Sequence, residues 1–408
     1  MSRIERKELN SMSTNWKALE SKYYMHVVNR TPVVLVRGEG TTVWDDEGKE
    51  YLDFSGGWAV NNVGHANPVV AEAVAEQART LVQTSNQFYT IPQLQLAQVL
   101  VENSCLDRVF FSNSGAEANE GAIKIARKYG SMHRNGAYEV ITADHSFHGR
   151  TLVTMAATGK PHDTFLPVPP GFVHVEFDNL DDIKSKTSDK TAAVMLEPVQ
   201  GEGGVNIPSP GYFQGVREWC DENGLLLILD EVQTGLGRLG TLFGYEAIEV
   251  EPDVMTLAKG LGGGVPIGAF LCKEQVSVLA PGDHGSTFGG NALTCAAAYA
   301  STKYIIDNDV SDHARAMGEH LRRGLNDIKE RNGFVKDVRG VGLLDAVEFN
   351  VDISAGVLDA CRERGLLLVV PPAPNTIRLI PPLTTTEGEI DKGLEILEAG
   401  MVKAAQGS

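Results

Sequence analysis

Asp253-Val-Met-Thr-Leu-Ala-Lys259-Gly-Leu-Gly-Gly-Gly-Val-Pro-Ile-Gly268 runs an apolar stretch, Val254 to Ala258, into one lysine and a glycine-rich turn. The pattern predicts a buried strand that delivers Lys259 to its end, where few side chains crowd it. Burying an ammonium is costly, and a site uses that cost to push the amine toward its neutral, nucleophilic form. A lone Lys-Gly pair is ordinarily a solvated side chain beside a flexible turn. The neighbouring segments therefore decide the reading.

Similar apolar runs recur on both sides. They are Arg108-Val-Phe-Phe111, Glu139-Val-Ile-Thr142, Val173-His-Val175, Ala192-Ala-Val-Met-Leu196, Leu225-Leu-Leu-Ile-Leu229 and Ile267-Gly-Ala-Phe-Leu271. Helical periods lie between several of them, such as 116–129 and 211–223. Continuous apolar strands alternating with helices predict an α/β fold, its mostly parallel sheet covered on both faces. Ligands on such sheets gather outside the strands' carboxyl ends.

Upstream, residues 1–30 form a polar, partly helical arm, and Val33–Val36 with Thr42–Trp44 predicts a hairpin. Helical periods follow Pro68 (Val70, Val74, Ala78, Leu81) and Pro92. Beyond about 300 the character changes: a long helix over 310–331, short strands near 342–348, 365–370 and 377–380, and helices near 354–364 and from 387. The expected division is an arm and hairpin over 1–60 joining a small α+β domain over 301–408, with a large ligand-binding domain over 61–300. Neither an internal repeat nor a low-complexity segment is present.

A chain of 408 residues is long enough for two such cores. The net charge of −17 disfavours nonspecific binding to nucleic acid or an anionic membrane, though not a local phosphate site. Cys105, Cys220, Cys272, Cys295 and Cys361 are scattered and odd in number. That predicts reduced thiols and no metal site. With no secretory signal and no apolar run long enough to span a bilayer, the expectation is a soluble, cytoplasmic protein.

Chemistry-bearing clusters fall at the ends of the predicted strands. Ser112-Asn-Ser-Gly-Ala-Glu-Ala-Asn119 opens a helix, with Ser114 and Glu117 at capping-box spacing. It is either a plain N-cap or a place where Gly115 and Ala116 bare their amides to a phosphate. Leu229-Asp230-Glu-Val232-Gln233 puts carboxylates at the end of an apolar strand, to cap the next segment or to hold a protonated ring nitrogen. His145-Ser-Phe147-His148-Gly-Arg150-Thr151 offers a flat ring and a guanidinium suited to a carboxylate. Glu197-Pro-Val-Gln-Gly-Glu202-Gly-Gly204 and Gly285-Ser286-Thr287-Phe-Gly-Gly-Asn291 add a carboxylate-bearing loop and a hydroxyl-bearing loop.

Together these pieces describe a pyridoxal phosphate site: a lysine for the aldehyde, an acid for the pyridine nitrogen, a ring cover and a phosphate cradle. The segments NSGAEAN, SFHGRT, EPVQGEGG, LDEVQTGLGR, LAKGLGGGVPIG, GSTFGGN and IRLIPPLT occur in the order seen in the class III, fold-type-I aminotransferases. The chain strongly resembles that family over nearly its whole length, most closely the acetylornithine aminotransferase branch. The resemblance implies a large domain on a mostly parallel seven-stranded sheet, a smaller α+β domain, pyridoxal 5'-phosphate as cofactor and a homodimer with shared active sites. It makes Lys259 the Schiff-base lysine and proton carrier, and Asp230 the partner of the pyridine nitrogen. By the same resemblance Val232 lies behind the ring, Gln233 near its phenolic oxygen, and Phe147 stacks on it with His148 alongside. Ser114, Gly115 and Ala116 would cradle the phosphate, joined by Thr287 from the neighbouring subunit. On the substrate side it implies Ser286, Arg150 for the carboxylate of acetylornithine, Arg378 for the α-carboxylate of glutamate or 2-oxoglutarate, and Glu202 as the switch partner of Arg378.

The implied reaction moves the ω-amino group of N2-acetyl-L-ornithine to 2-oxoglutarate by a ping-pong route, a step of arginine biosynthesis. One position departs from that branch, which commonly has a smaller aliphatic residue where Ser55-Gly-Gly-Trp58-Ala-Val-Asn61 carries Trp58. A tryptophan there is familiar from the amine–pyruvate branch and would narrow the substrate pocket. The alternatives are a 4-aminobutyrate or other ω-amine aminotransferase, an aminomutase or racemase on the same fold, and a non-catalytic cofactor-binding regulator.

Overall fold

The computed structural model describes residues 15–159, 163–369 and 373–407. The expected N-terminal arm lies outside the described residues up to 14. Beyond it Asn15 caps a short helix, Trp16–Tyr23, by accepting the Ala18 N–H. The predicted hairpin forms from β1 (Leu35–Glu39) and β2 (Thr42–Asp45), and a third strand not foreseen, β3 (Glu50–Asp53), extends it.

Seven strands build the large sheet: β4 (Arg108–Ser112), β5 (Glu139–Ala143), β6 (Phe172–Val175), β7 (Thr191–Leu196), β8 (Leu226–Asp230), β9 (Val254–Leu257) and β10 (Gly268–Cys272). Their order is β4-β10-β9-β8-β7-β5-β6. Pairing is parallel from β9 across to β6, while β10 is antiparallel to both β9 and β4. The connection from β9 to β10 covers only residues 258–267, short of the roughly dozen or more that a parallel crossover requires. Hence β10 must turn back, while β4 and β9 run the same way.

Alternation along each strand divides the core between the two faces. Leu227 and Leu229 pack with Phe213, Val216 and Cys220 of the helix Tyr212–Asn223. Leu226 and Ile228 pack with Ala122, Ile125 and Ala126 of the helix Gly115–His133. With both faces covered, every residue of β7 and β8 is buried, so these strands read as unbroken apolar runs.

The C-terminal region forms a three-stranded antiparallel sheet from β11 (Val335–Val341), β12 (Leu344–Phe349) and β14 (Thr376–Leu379). The run expected over 365–370 shortens to β13 (Leu366–Leu367) and leaves that sheet to pair parallel with β3; Val370 lies outside the described residues. The N-terminal hairpin and the C-terminal region thus share a four-stranded sheet, β1-β2-β3-β13. Among the described residues no helix is long and apolar enough to cross a membrane, and no cluster of His, Cys, Asp and Glu could hold a metal ion.

Candidate active site

A cavity of about 440 Å³ opens at the carboxyl edge of the large sheet, where β4, β7, β8 and β9 all end. Lys259 stands just past β9 with φ of +39°, a strained angle for a side-chain-bearing residue. A Cβ on Gly260 would run into the Asn62 amide, so the turn closes only with glycine there. The Lys259 side chain faces the cavity and is only partly covered, yet its amine lies deep among protein atoms. Burial lowers its pKa from 10.5 to about 8, against the opposing pull of the Glu202 carboxylate.

Asp230, the last residue of β8, is 3% exposed and firmly held. Its Oδ2 accepts from Asn119 Nδ2 at 2.8 Å and lies 2.7 Å from His148 Nδ1. Its Oδ1 accepts the Val232 N–H at 3.0 Å, and no helix follows for Asp230 to cap. Asn119 in turn accepts from Thr256 Oγ1 at 2.7 Å and donates to the His148 carbonyl at 2.7 Å. This frame holds the carboxylate by contacts from three separate segments. His148 therefore meets Asp230 directly, and its Nε2 is buried with no hydrogen-bond partner among the described residues.

Sequence reasoning did not assign Asn119, Thr256 or Glu197 to the site. The signal was present for the first two: each is a polar residue inside an otherwise apolar stripe, and buried polar groups need partners. Glu197 follows β7 and accepts the Phe147 N–H at 3.3 Å. Burial, reinforced by Asp230, pushes its carboxyl well above the ordinary range.

At the start of the helix Gly115–His133, Ser114 Oγ accepts the Glu117 N–H at 3.2 Å. The expected box closes one residue early, because Glu117 accepts from Asn113 N at 2.6 Å and Asn113 Nδ2 at 2.8 Å. The first-turn amides of Gly115 and Ala116 have no acceptor within the helix, and both residues line the cavity. A Cβ on Gly115 would strike Val232, so glycine is what lets the helix end approach that close. Phe147 forms a further wall. The exposed Arg150 guanidinium lies 5.4 Å from the Phe147 ring and makes no ion pair among the described residues.

Arg378 comes from β14 and is fully buried. It donates to Glu202 Oε1 at 2.9 Å and to Gln233 Oε1 at 3.0 Å. Gln233 is thereby tied to Arg378. Burial alone would push the Glu202 carboxyl up; the charges of Arg378 and Lys259 outweigh it and hold the carboxyl below its usual range. The Trp58 ring stands 5.4 Å from the Arg378 guanidinium and is 47% exposed, while the nearby Val60 walls the cavity. Trp58 sits in a left-handed turn, with φ between +51° and +66° from Gly56 to Ala59. Asp53 Oδ1 secures that turn by accepting from the backbone of Ser55 and Gly56. Ser286 and Thr287 do not line this cavity: Ser286 Oγ stands at its edge, accepting from the lining residue Asn113 through Nδ2 at 3.1 Å, and Thr287 is exposed.

Residues 23–401 match the protein family described as aminotransferase class-III. This chain is a class-III aminotransferase. It is 49% identical to the acetylornithine aminotransferase of Methanocaldococcus jannaschii, over 94% of this chain and 97% of that one. It is 48% identical to the acetylornithine aminotransferase of Caldanaerobacter subterraneus, over 93% and 97%. Among solved structures, the ornithine aminotransferase of Toxoplasma gondii superposes with a TM-score of 0.95 at 33% identity, covering 100% of both chains. The acetylornithine aminotransferase of Elizabethkingia anophelis gives 0.86 at 34%, covering 95% of this chain and 98% of that one.

Class-III aminotransferases use pyridoxal phosphate, and the residues present fit it. The cavity has the volume of a cofactor site. It brings a lysine amine of lowered pKa and a buried carboxylate to one sheet edge, and two helix-end amides without intrahelical acceptors supply the anion cradle.

Proposed function

We propose that this aminotransferase moves the ω-amino group of N2-acetyl-L-ornithine to 2-oxoglutarate, yielding the semialdehyde and L-glutamate by a ping-pong mechanism. The observation that carries the acceptor side is the buried Arg378–Glu202 pair at 2.9 Å. A guanidinium already matched to a carboxylate is built to take another one bidentately. When Glu202 covers Arg378, the donor's amine reaches Lys259 without its carboxylate being captured there. When Glu202 withdraws, Arg378 takes the α-carboxylate of the dicarboxylic acceptor. Arg150, which makes no ion pair among the described residues, takes the donor carboxylate.

Pyridoxal phosphate supplies an aldehyde that exchanges amines and a pyridine ring that withdraws electrons when its nitrogen is protonated. With the cofactor bound, Lys259 would hold its aldehyde and serve as the proton carrier, a task suited to an amine whose pKa is about 8. Asp230, oriented by Asn119 and His148, would keep the ring nitrogen protonated. Val232 and Phe147 would hold the ring, and Ser114, Gly115 and Ala116 the phosphate.

The working unit in this reading is a homodimer in the cytoplasm. Phe88, Tyr89, Ile91, Leu94 and Phe288 expose 53–93% of their surface. An apolar area of that kind beside Thr287 supports a second copy covering it, with Thr287 reaching the neighbouring cofactor phosphate and Ser286 the substrate. Domains over 61–300 and 301–408, the latter joined by 1–60, remain the proposed division of the chain.

Trp58 over Arg378 favours a second reading, an ω-amine aminotransferase that prefers pyruvate. A panel of acetylornithine, ornithine, succinylornithine and 4-aminobutyrate, each with 2-oxoglutarate and with pyruvate, separates the two. The first reading expects acetylornithine with 2-oxoglutarate to give the highest kcat/KM. No turnover of acetylornithine overturns it, and a large excess of pyruvate over 2-oxoglutarate removes the role assigned to Arg378.

A further inference from the structure

Arg339 on β11 pairs with Ala346 on β12, and Ala346 pairs with Arg378 on β14. Residues directly opposite one another on neighbouring strands project to the same face, so the two arginines flank one small side chain in a single row. The loop carrying Glu202 lies against that row: Val199 and Val205, at its two ends, share a buried cluster with Ala346, Leu344 and Ile380. Its tip is closed by reciprocal backbone hydrogen bonds between Gln200 and Asn206, at 3.1 and 3.0 Å.

Two independent features show that this tip is held under constraint. Val205 has φ of +57°, a conformation that a β-branched residue adopts only when its surroundings impose it. Arg339 grips the same backbone, with Nε donating to the Gly204 carbonyl at 3.0 Å and the Val205 carbonyl at 3.2 Å, and Nη2 to Gly204 at 2.7 Å. The charge of Arg339 is balanced elsewhere, through Nη1 to Asp337 at 3.0 Å and to Glu348 at 2.8 Å. Its other edge is therefore left to act on the loop.

We propose that Arg339 is a positioning residue for Glu202: by holding the Gly204 and Val205 carbonyls it fixes the loop tip so that the Glu202 carboxylate stays over Arg378 as an internal competitor that an incoming carboxylate must displace. The inference rests on the Arg378–Glu202 switch described above. It adds that the strength of the competitor is set from the sheet row that also supplies the arginine, so loop and guanidinium keep one register. Loosening the tip costs the competitor its preorganisation and leaves Arg378 unchanged.

The test is equilibrium binding of glutarate, an unreactive dicarboxylate, to the holoenzyme, read by the fluorescence of Trp58 with a Trp58→Phe control. Arg339→Gln is expected to tighten glutarate by roughly three- to tenfold, the weight of one or two hydrogen bonds. Glu202→Gln is expected to tighten it further, and Arg339→Gln placed in the Glu202→Gln background should add nothing. Damage to the site would weaken binding, so the direction separates positioning from mere structural support. Arg339→Lys, which keeps the charge beside Asp337 and Glu348 but not the planar fork, should fall between wild type and Arg339→Gln. If Glu202→Gln tightens glutarate while Arg339→Gln leaves it unchanged or weaker, the role of Arg339 is overturned. If Glu202→Gln itself has no effect, the switch reading fails first.

Discussion

The two ends of the active site are built differently. At the cofactor end, Lys259, Asp230 and the Gly115 helix terminus all spring from carboxyl edges of one sheet, and Asp230 is fixed by Asn119, His148 and a backbone amide. At the proposed substrate end, Arg378, Glu202, Trp58 and Arg150 come from a strand of another sheet, two loops and a left-handed turn. In the proposed reading a protonated ring demands one unchanging geometry, which suits partners that are locked. Alternating substrates demand a group that is covered and uncovered, which suits an Arg378 resting on the proposed switch partner Glu202.

Substitutions at the rigid end should remove chemistry, and those at the adjustable end should redistribute it. Lys259→Ala is expected to lower turnover by on the order of 10⁴-fold or more, with loss of the absorbance that marks the lysine-bound cofactor. Retained transamination would refute its role. Asp230→Asn keeps the shape but removes the charge, and should cost about two to three orders of magnitude in both half-reactions, measured by stopped-flow absorbance. An unequal loss between the halves would break the comparison.

At the other end the losses should be one-sided. Arg378→Ala should lower kcat/KM for 2-oxoglutarate by roughly a hundredfold while sparing the donor half-reaction. Equal losses in both would show that the arginine serves general structure. Trp58→Ile should shift preference among donors by only about fivefold, the scale of an exposed cation–π contact. The donor panel reads this directly.

The depressed Lys259 pKa carries a sign of its own. Only the neutral amine attacks an aldehyde, and below about 8 the ammonium form prevails. Capture of added pyridoxal phosphate by cofactor-free protein should therefore speed up as pH rises through about 8 and level off above it. A midpoint near the ordinary 10.5 would mean that burial does not act on this lysine.

Much of this was legible in the chain itself. Leu226 to Asp230 reads as a buried strand because both faces are covered, and a carboxylate ending such a run must have work or a partner. Lys259 before its glycines and the Ser114–Gly115 helix start were equally local signals. What stayed hidden was pairing between distant segments. A polar Asn119 in an apolar stripe signals that it needs partners but not that they are Asp230 and Thr256, and Glu117 chose Asn113 as its partner by a shift of one residue.

By itself the sequence determined the pieces of the cofactor site, because strand period, helix cap and glycine turn are short-range physics that act within a few residues; their meaning came from seven segments taken together and the family they resemble. Only the tertiary structure decided how Arg378 is masked, where Trp58 stands and what holds the Glu202 loop. The masking of Arg378 and the hold on the Glu202 loop depend on hydrogen bonds between segments more than a hundred residues apart, such as Arg339 to Gly204 and Arg378 to Glu202. Such contacts exist only once β11, β12 and β14 have set both arginines in one row.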